Sequence, residues 1–421
     1  MKFLFVHQNF PGQYLHLLRY LVGQKAHELL FLTEANQNQI NGVRKVTYRL
    51  HRAAAPETHQ DVREFEGSAI RAEAVALAAR SFHQLGFEPD IIIGHHGWGE
   101  LLNLRDLWPK APMLGYFEFF YHTDGYDVGF DPEFPMEPAR LPSIRAKNLV
   151  NFLALNLGGH GQTPTRFQHE TYPDWARRQI TVLPEGADLE LCVPDPAART
   201  RPFALKDIAV APGEKLVTYV VRGLEPYRGF HVMMRALPRL LRERPDARVI
   251  LVGQDQVHYG MRPAQGTWRE QLTAELAGRL DMSRIHFPGR IEYADYRRLL
   301  QRSDAHVYLT YPFVASWSLR EALASGCAIV ASDTEPVREF VAHGQTGLLT
   351  RFPDPDALAT TVLELLDDAA LSRRLRANAR RYAERNLGMG RHIAAFESLI
   401  GSLTGTERIA PAERARRSSI G

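Results

Sequence analysis

The fold is decided by a stretch in the second half of the chain, which reads LVTYVVRGLEPYRGF at residues 216–230. Its largely apolar run at 216–221 predicts a strand that is buried on both faces. A loop with two arginines and a proline follows, and Phe230 then begins a helical pattern that extends to residue 244. A strand, a short loop and a helix in this order predict one βαβ unit of a parallel sheet.

The same alternation of strands and helices occupies both halves of the chain. The other strand-like runs lie at residues 2–6, 29–32, 46–50, 91–93, 113–117, 180–183, 248–252, 285–287, 305–309 and 328–331. A length of 421 residues exceeds what one hydrophobic core usually serves. We therefore predict an α/β protein with two doubly wound, Rossmann-like domains that face a central cleft.

The domain boundary is predicted at a polar, proline-rich segment, residues 193–202, which has the composition of a linker. An N-terminal, acceptor-binding domain is then expected at 1–194 and a donor-binding domain at 203–389. The last helical pattern, at 390–404, is predicted to pack back on the first domain. Residues 405–421 lack apolar periodicity and are predicted to be disordered.

The composition narrows the class of protein. A net charge of +3 gives no reason to expect nucleic acid as a partner, and the two cysteines are not in metal-binding spacing, so no metal is predicted. The sequence shows no leader and no membrane span, which predicts a cytoplasmic protein. Contact with the inner membrane face through Arg140, Arg145 and Lys147 is an alternative to a solvated helix face.

The loop after strand 216–221 is a candidate anion site. Arg222 and Arg228 flank it, and Gly229 opens the next helix. Two guanidinium groups beside a helix start form a suitable receptor for a diphosphate. The alternative is a pair of surface arginines that make ion pairs with Glu225.

A second candidate site lies in ASWSLREALASG, residues 315–326. The Glu321 carboxylate could accept hydrogen bonds from the vicinal hydroxyls of a ribose, or it could simply favour the dipole of its own helix. Backbone N–H groups at a helix start suit a phosphate. The residues that offer them here are Ser316, Trp317, Ser318 and Leu319.

Polar residues also follow the strands of the first domain. His95 and Glu100 lie in GHHGWGE, and Glu118 and His122 lie among the aromatic residues of YFEFFYHTDG. Such a mixture suits a wall that binds a sugar, although the aromatic rings could equally be core residues. Gly12 follows the first strand, where it is either part of an anion site or a turn glycine.

Several motifs resemble the retaining glycosyltransferase family 4, which has the GT-B architecture. REALASGCAIVASD at 320–333 resembles the family segment LEAMACGLPVVAS, and LPEGAD at 183–188 resembles the interdomain hinge PNGVD. HFPGRI at 286–291 resembles the loop that receives the nucleotide base, which here includes Arg290 and Ile291. HQNFPGQYLHLLRYL and HHGWGELLNLRDLWP resemble the first domain of one bacterial subgroup.

The resemblance implies a metal-independent, retaining enzyme that transfers a hexose-type sugar from a nucleotide-diphosphate sugar, with UDP and GDP both open and with no other cofactor. The implied acceptor is a glycan or lipid-linked glycan of surface-polysaccharide assembly. Arg222 and Arg228 would stabilise the leaving diphosphate, and Glu118 would hold the sugar or the acceptor. The residues assigned to acceptor contact are His95, Glu100 and His122.

One position departs from the family pattern. Phe313 stands where the family has a first glutamate, so the donor sugar or its binding differs from the usual one. Two alternative functions therefore remain. One is an epimerase or phosphorylase of the same fold, and the other is a non-catalytic sugar-binding protein.

Overall fold

The computed structural model describes residues 1–406, in which two parallel sheets form two α/β domains. The first sheet has the strand order β3-β2-β1-β4-β5-β6-β7, and all its neighbouring strands are parallel. Its strands are β1 (Lys2–Val6), β2 (Glu28–Thr33), β3 (Arg44–Thr47), β4 (Ile91–His95), β5 (Met113–Tyr116), β6 (His160–Thr163) and β7 (Ile180–Val182). Its helices are α1 (Leu15–Gln24), α2 (Arg63–Gln84), α3 (Leu141–Ala146), α4 (Leu149–Asn156), α5 (Arg166–Glu170) and α6 (Asp174–Arg177).

The second domain begins with a small hairpin and continues as a parallel sheet. The hairpin strands are β8 (Phe203–Leu205) and β9 (Ile208–Val210). The sheet has the order β12-β11-β10-β13-β14-β15, with β10 (Lys215–Gly223), β11 (Ala247–Gln254), β12 (Ile285–Gly289), β13 (Ala305–Tyr308), β14 (Ile329–Ser332) and β15 (Leu348–Thr350). Its helices are α7 (Phe230–Glu243), α8 (Trp268–Glu275), α9 (Tyr293–Arg302), α10 (Trp317–Ala324), α11 (Glu335–Arg338), α12 (Pro355–Asp367) and α13 (Ala369–Asn386).

These sheets confirm the predicted pair of doubly wound domains. Strand order reverses between β1 and β4 in the first sheet and between β10 and β13 in the second. Ligands of such folds bind beyond the carboxyl ends of strands at this reversal. The loops after these four strands are therefore the places to look for a site.

The last helix, α14 (Met389–Thr404), returns from the second domain to the first. Ile393, Phe396 and Ile400 pack in one buried cluster with Phe3 and Phe5 of β1. A hydrogen bond of 2.7 Å from the Tyr20 hydroxyl to the Glu397 carboxylate joins α14 to α1. Of the tail that was predicted to be disordered, residues 407–421 lie outside the described part of the chain.

A loop of the first domain crosses to the second. We call residues 124–137, which follow β5, the crossing loop. Its Asp131 carboxylate is buried beside the imidazole of His231 on α7, with 2.9 Å between Oδ2 and Nε2. The Tyr311 hydroxyl donates to the same oxygen at 3.0 Å. Phe130 and Phe134 also pack against the core of the second domain.

Candidate active site

Arg228 lies in a short turn directly after β10, where the strand order of the second sheet reverses. Its Nη1 donates to the Thr310 hydroxyl at 2.8 Å and to the Val314 carbonyl at 3.0 Å. The guanidinium also lies over the Tyr259 ring, at 5.0 Å from its centroid. Arg228 is buried, and within residues 1–406 no carboxylate makes an ion pair with it. Since a buried cation without a direct counter-charge is costly, this position favours a bound anion.

Glu225 holds the loop that covers Arg228. It is completely buried, and its carboxylate accepts the backbone N–H groups of His258 at 3.1 Å, Tyr259 at 3.1 Å and Gly260 at 2.9 Å. The alternative in which Glu225 pairs with surface arginines is therefore wrong. Its role is to shape the loop that carries the Tyr259 ring.

Arg222 differs from Arg228 in its exposure. It lies near the end of β10 with its side chain exposed, whereas Arg228 is buried. Burial and then the charge of Arg222 lower the pKa of His258, which places Arg222 beside that imidazole. A contact between Arg222 and a diphosphate stays a prediction.

Phe313, which replaces the family's first glutamate, is part of an aromatic cluster and only 3% exposed. Its ring lies 4.7 Å from that of Phe119 in the first domain, 5.4 Å from Tyr227 and 5.5 Å from Tyr259. This position therefore joins the two domains through apolar contact. It offers no hydrogen bond to a sugar hydroxyl.

Glu118 faces Arg228 from the first domain, two residues after the end of β5. Its side chain is 32% exposed, and its Oε2 lies 3.9 Å from Nε2 of His95. Burial, and then the nearby Glu185 carboxylate, raise the pKa of Glu118 to about 7, while the charge of Arg228 opposes the rise. The structure thus brings together Glu118, His95 and Arg228, which the sequence had placed after three different strands.

His95 is oriented by its own loop. Its Nδ1 accepts the Gly97 N–H at 2.9 Å, so Nε2 carries the ring proton and points toward Glu118. Burial, followed by the neighbouring imidazoles of His7 and His96, lowers the pKa of His95 well below its ordinary value. A neutral His95 can therefore donate one hydrogen bond into the cleft.

Gly12 lies against the imidazole of His7. The Gly12 φ is +56°, and a Cβ at this position would meet His7 Nδ1 at 3.0 Å. A glycine is thus required by the turn itself, because a side chain would be strained and crowded there. The turn interpretation accounts for Gly12, and the contact with an anion stays a prediction.

Two residues assigned to the acceptor have other contacts. Glu100 is fully buried, where burial raises its pKa to about 8 and its Oε1 accepts the Gln8 N–H at 3.2 Å. It supports the loop after β1 and cannot touch an acceptor in this conformation, which corrects that prediction. Nε2 of His122 lies 2.7 Å from the Thr171 carbonyl, and its ring is tilted by 31° against that of Tyr126 at 4.5 Å, so its contact with an acceptor stays a prediction.

Glu321 lies in α10 and has phenolic partners. Its Oε1 accepts the Tyr293 hydroxyl at 2.7 Å. Burial raises the pKa of Glu321, and the hydrogen bond from Tyr293, followed by the nearby Tyr296 hydroxyl, opposes that rise. The carboxylate thus already accepts hydroxyl hydrogen bonds, which are the kind that a ribose diol would offer.

The predicted phosphate and base loops have well-defined backbones. The Ser316 N–H donates to the Tyr308 hydroxyl at 2.8 Å, and the hydroxyls of Ser316 and Ser318 are 2.5 Å apart. In the base loop, the Arg290 carbonyl accepts from Lys206 Nζ at 3.2 Å, while its side chain is exposed. Ile291 packs its side chain against the core, so only its backbone is available to a base.

A polar hub at the hinge was missed by the sequence analysis. Glu185 accepts the Trp317 indole N–H at 2.7 Å and lies 3.3 Å from Nη1 of Arg320. The Tyr116 hydroxyl lies 3.4 Å from its other oxygen. The sequence shows the two opposite charges but not their contact, because Glu185 and Arg320 stand where the family segments have asparagine and leucine.

Among residues 1–406, one group of side chains has the spacing of a metal site: Asp131, Glu133 and His231. These residues belong to the crossing loop and α7, where His231 follows Arg228 by three positions. Asp131 already bonds His231 and Tyr311, and the Glu133 carboxylate accepts both ends of the Arg235 guanidinium, at 2.5 and 2.8 Å. The group is explained as an interdomain ion-pair network.

Comparison with protein families assigns both halves of the chain. Residues 25–192 match the family described as "Glycosyl transferase family 4 group", and residues 203–382 match "Glycosyl transferases group 1". The matches support a family 4-type glycosyltransferase. The two matched regions correspond to the two sheets, one on each side of the cleft.

Curated relatives match only part of the chain. Glycogen synthase of Mycobacterium tuberculosis is 32% identical over 204 residues, which are 48% of this chain and 44% of the relative. Phosphatidyl-myo-inositol mannosyltransferase of Mycolicibacterium smegmatis is 31% identical over 161 residues, 37% of each chain. Each match thus covers less than half of the relative's own length.

Solved structures match almost the whole fold. Sucrose-phosphate synthase of Thermosynechococcus elongatus has a TM-score of 0.72 at 18% identity and covers 97% of this chain and 100% of its own. The Anabaena protein HepE, solved with UDP-glucose, has a TM-score of 0.68 at 18% identity over 97% of this chain and 100% of its own. The predicted GT-B architecture is therefore confirmed.

In the described chain, residues 1–406, none of the helices has the length and apolar character that crossing a membrane requires.

Proposed function

We propose that this family 4-type glycosyltransferase moves a hexose-type sugar from a nucleotide-diphosphate sugar to a glycan or lipid-linked glycan, as in surface-polysaccharide assembly. The second domain holds the donor and the first domain holds the acceptor. The proposed place of action is the cytoplasm, with membrane contact limited to an acceptor at the inner face.

The observation that carries this proposal is the buried Arg228. It has neutral hydrogen-bond partners and faces the cleft opposite Glu118. A glycosyl donor that releases a nucleoside diphosphate develops negative charge on the leaving oxygen. A preorganised cation at that point lowers the barrier, and loss of one such donor typically costs about 3–4 kcal/mol. Because arginine supplies this charge, the proposed reaction uses no metal ion.

The other groups receive the remaining parts of the donor. Glu321 binds the ribose hydroxyls, and the start of α10 binds the phosphates. The backbone of Arg290 and Ile291 faces the base. The base itself stays open between uracil and guanine; UDP-glucose is tested first because HepE was solved with that ligand.

We further propose retention of anomeric configuration. The acceptor hydroxyl attacks from the face that the diphosphate leaves, a C–O bond forms at the anomeric carbon, the bond to the diphosphate oxygen breaks, and a phosphate oxygen takes the acceptor proton. Glu118 accepts a hydrogen bond from the sugar or acceptor and forms no covalent bond.

The test uses Arg228→Ala, Glu321→Ala and Arg222→Ala in transfer assays with UDP- and GDP-sugars. We expect the first two variants to lose roughly a hundredfold or more in kcat/KM, and the exposed Arg222 to matter less. NMR of the product reports the anomeric configuration, and assays with a chelator report metal dependence. Near-normal turnover of Arg228→Ala would rule out this site.

Product analysis also separates the alternative functions. An epimerase releases an altered nucleotide sugar, a phosphorylase releases a sugar phosphate, and a transferase forms a new glycoside. The apolar surroundings of Phe313 are the one observation that favours a sugar-binding protein without activity. Binding of a nucleotide sugar with no turnover of any donor would support that function.

A further inference from the structure

Glu185 lies in the hinge between the domains and contacts both of them. Its Oε2 accepts the Trp317 indole N–H at 2.7 Å, and the Tyr116 hydroxyl at the end of β5 lies 3.4 Å from its Oε1. Its side chain is 13% exposed. The carboxylate therefore links the first domain to the first residue of α10.

Arg320 gives this carboxylate a second role. It is only 1% exposed, and its guanidinium nitrogens have no hydrogen-bond partner within residues 1–406. Only Glu185 makes an ion pair with it there, at 3.3 Å, and the Phe340 ring lies 4.8 Å below its guanidinium. Without Glu185, a buried positive charge would lie next to Glu321 with no direct compensation.

We propose that Glu185 is a positioning residue of the donor site: it fixes the Trp317 side chain, compensates Arg320, and so holds the start of α10 where it can receive the diphosphate of a nucleotide sugar. This inference rests on the proposed function. It assigns to the hinge a direct part in donor affinity, in addition to its part in connecting the domains.

The charge of Glu185 also reaches Glu118. After burial, it is the largest cause that raises the pKa of Glu118. The titratable and charged groups around Glu118 are His95 on β4, Tyr116 on β5, Tyr121 and Tyr172 nearby, Glu185 in the hinge and Arg228 after β10. Removal of the charge at 185 must therefore lower the pKa of Glu118.

The first experiment measures binding of UDP and of GDP by calorimetry to the full chain, to Glu185→Gln and Glu185→Ala, and to the exposed control Glu190→Gln. The glutamine keeps an oxygen for the Trp317 N–H but loses the charge, so we expect about tenfold weaker binding. The alanine variant loses both the hydrogen bond and the charge, and we expect it to bind the nucleotide roughly a hundredfold more weakly. Glu190→Gln should bind like the unaltered protein.

The second experiment reports the contact itself. Tryptophan emission, with Trp317→Phe as the difference reference, should shift to longer wavelength in Glu185→Ala and stay close to normal in Glu185→Gln. In transfer assays, the acid limb of the pH profile should move to lower pH in Glu185→Gln. A merely structural role of Glu185 would move neither signal in this way.

The outcomes separate the two proposals. If the unaltered protein binds neither UDP nor GDP, the proposed function fails and this inference fails with it. If it binds one of them and Glu185→Ala binds equally well, the inference alone is overturned. Should Glu185→Ala fail to fold, the near-isosteric Glu185→Gln decides, because unchanged affinity together with an unchanged acid limb also overturns it.

Discussion

At the scale of the residue, burial and neighbouring charges in the cleft disfavour the ordinary charge of several ionisable side chains. Arg228 is buried among neutral partners, and Glu118 faces it with a pKa raised to about 7. His95 is kept neutral beside them. Such opposed environments are typical of sites that bind and convert charged ligands.

The pKa of Glu118 predicts a pH dependence of activity. Only the ionised carboxylate is purely a hydrogen-bond acceptor, so transfer should fall as the pH drops through about 7. Glu118→Gln should be less active and should lack this acid limb. Initial rates between about pH 5 and 9 measure it, and a flat profile in the unaltered protein would contradict the assignment.

The same raised pKa has a consequence for stability. A carboxyl that binds its proton more tightly in the folded state costs stability above its unfolded pKa, and the full cost is reached above the folded value. At about pH 8, Glu118→Gln should therefore unfold at a higher temperature than the unaltered protein. Its free energy of unfolding should be higher by about 1–2 kcal/mol after allowance for solvent screening. At about pH 4 the difference should vanish, and exposed Glu190→Gln should show none at either pH.

The candidate residues that the structure brings together are those predicted at the ends of strands. Arg228, Glu118 and His95 could be predicted because an apolar run marks each strand and the loop after it is a defined place in the fold. The contacts of Glu185 and Glu225 could not be predicted. Glu225 bonds backbone groups of a distant loop, and the partners of Glu185 lie on both domains, so neither contact leaves a local pattern.

At the scale of the element, apolar runs predicted most strands and missed those without one. Strand β6, His160–Thr163, reads HGQT and pairs between β5 and β7 although its sequence is mostly polar. The β8–β9 hairpin directly follows the proline-rich linker. Strand β3 spans Arg44–Thr47, earlier than the predicted 46–50, although the Tyr48 N–H still donates to the Thr33 carbonyl of β2 at 2.9 Å.

The loop held by Glu225 gives a prediction at this scale. Glu225→Gln keeps the shape but replaces one accepting oxygen with an NH₂ group that faces backbone donors. We expect a loss of about 3 kcal/mol in the free energy of unfolding, measured with urea, and faster amide exchange at residues 258–260. The exposed control Glu243→Gln, which loses surface pairs with Arg239 and Arg242, should change stability by less than about 1 kcal/mol. Equal effects would contradict the role of Glu225.

Helix α14 gives a second prediction. Phe396 is buried in the cluster formed with β1 and α1, so Phe396→Ala should cost about 3–5 kcal/mol of unfolding free energy. Ser402→Ala, on the exposed side of the same helix, should cost less than about 0.5 kcal/mol. Amide hydrogen exchange should become faster in the strands of the first domain, although the substituted residue, Phe396, lies close to the end of the described chain.

At the scale of the whole molecule, each domain contributes a segment to the other. The crossing loop of the first domain packs on α7, and α14 of the second domain's half of the chain packs on β1 and α1. Sequence patterns predicted two domains and the return of the last helix. They gave no sign of the crossing loop, because Asp131 and its partner His231 lie far apart in the chain.

Asp131→Asn tests the crossing loop. Burial raises the pKa of Asp131, but hydrogen bonds from His231, from the Glu133 N–H and from Tyr311 outweigh it and lower the pKa overall. The pair therefore stabilises the fold above the unfolded pKa and is lost as the pH falls through the lower, folded value. We expect Asp131→Asn to lose about 3–5 kcal/mol near neutral pH.

Urea unfolding followed by amide exchange in both domains measures this loss. The exposed Asp124→Asn, in the same loop, is the control and should leave unfolding unchanged. If Asp131→Asn unfolds like the unaltered protein, the crossing loop does not hold the domains together.

The return of α14 also governs the order in which the protein can be built. Phe3 and Phe5 are translated long before Ile400, which shares their cluster. During synthesis the first domain must wait, with part of its apolar surface uncovered, while the whole second domain is translated. Chaperone demand should therefore persist until α14 has been translated.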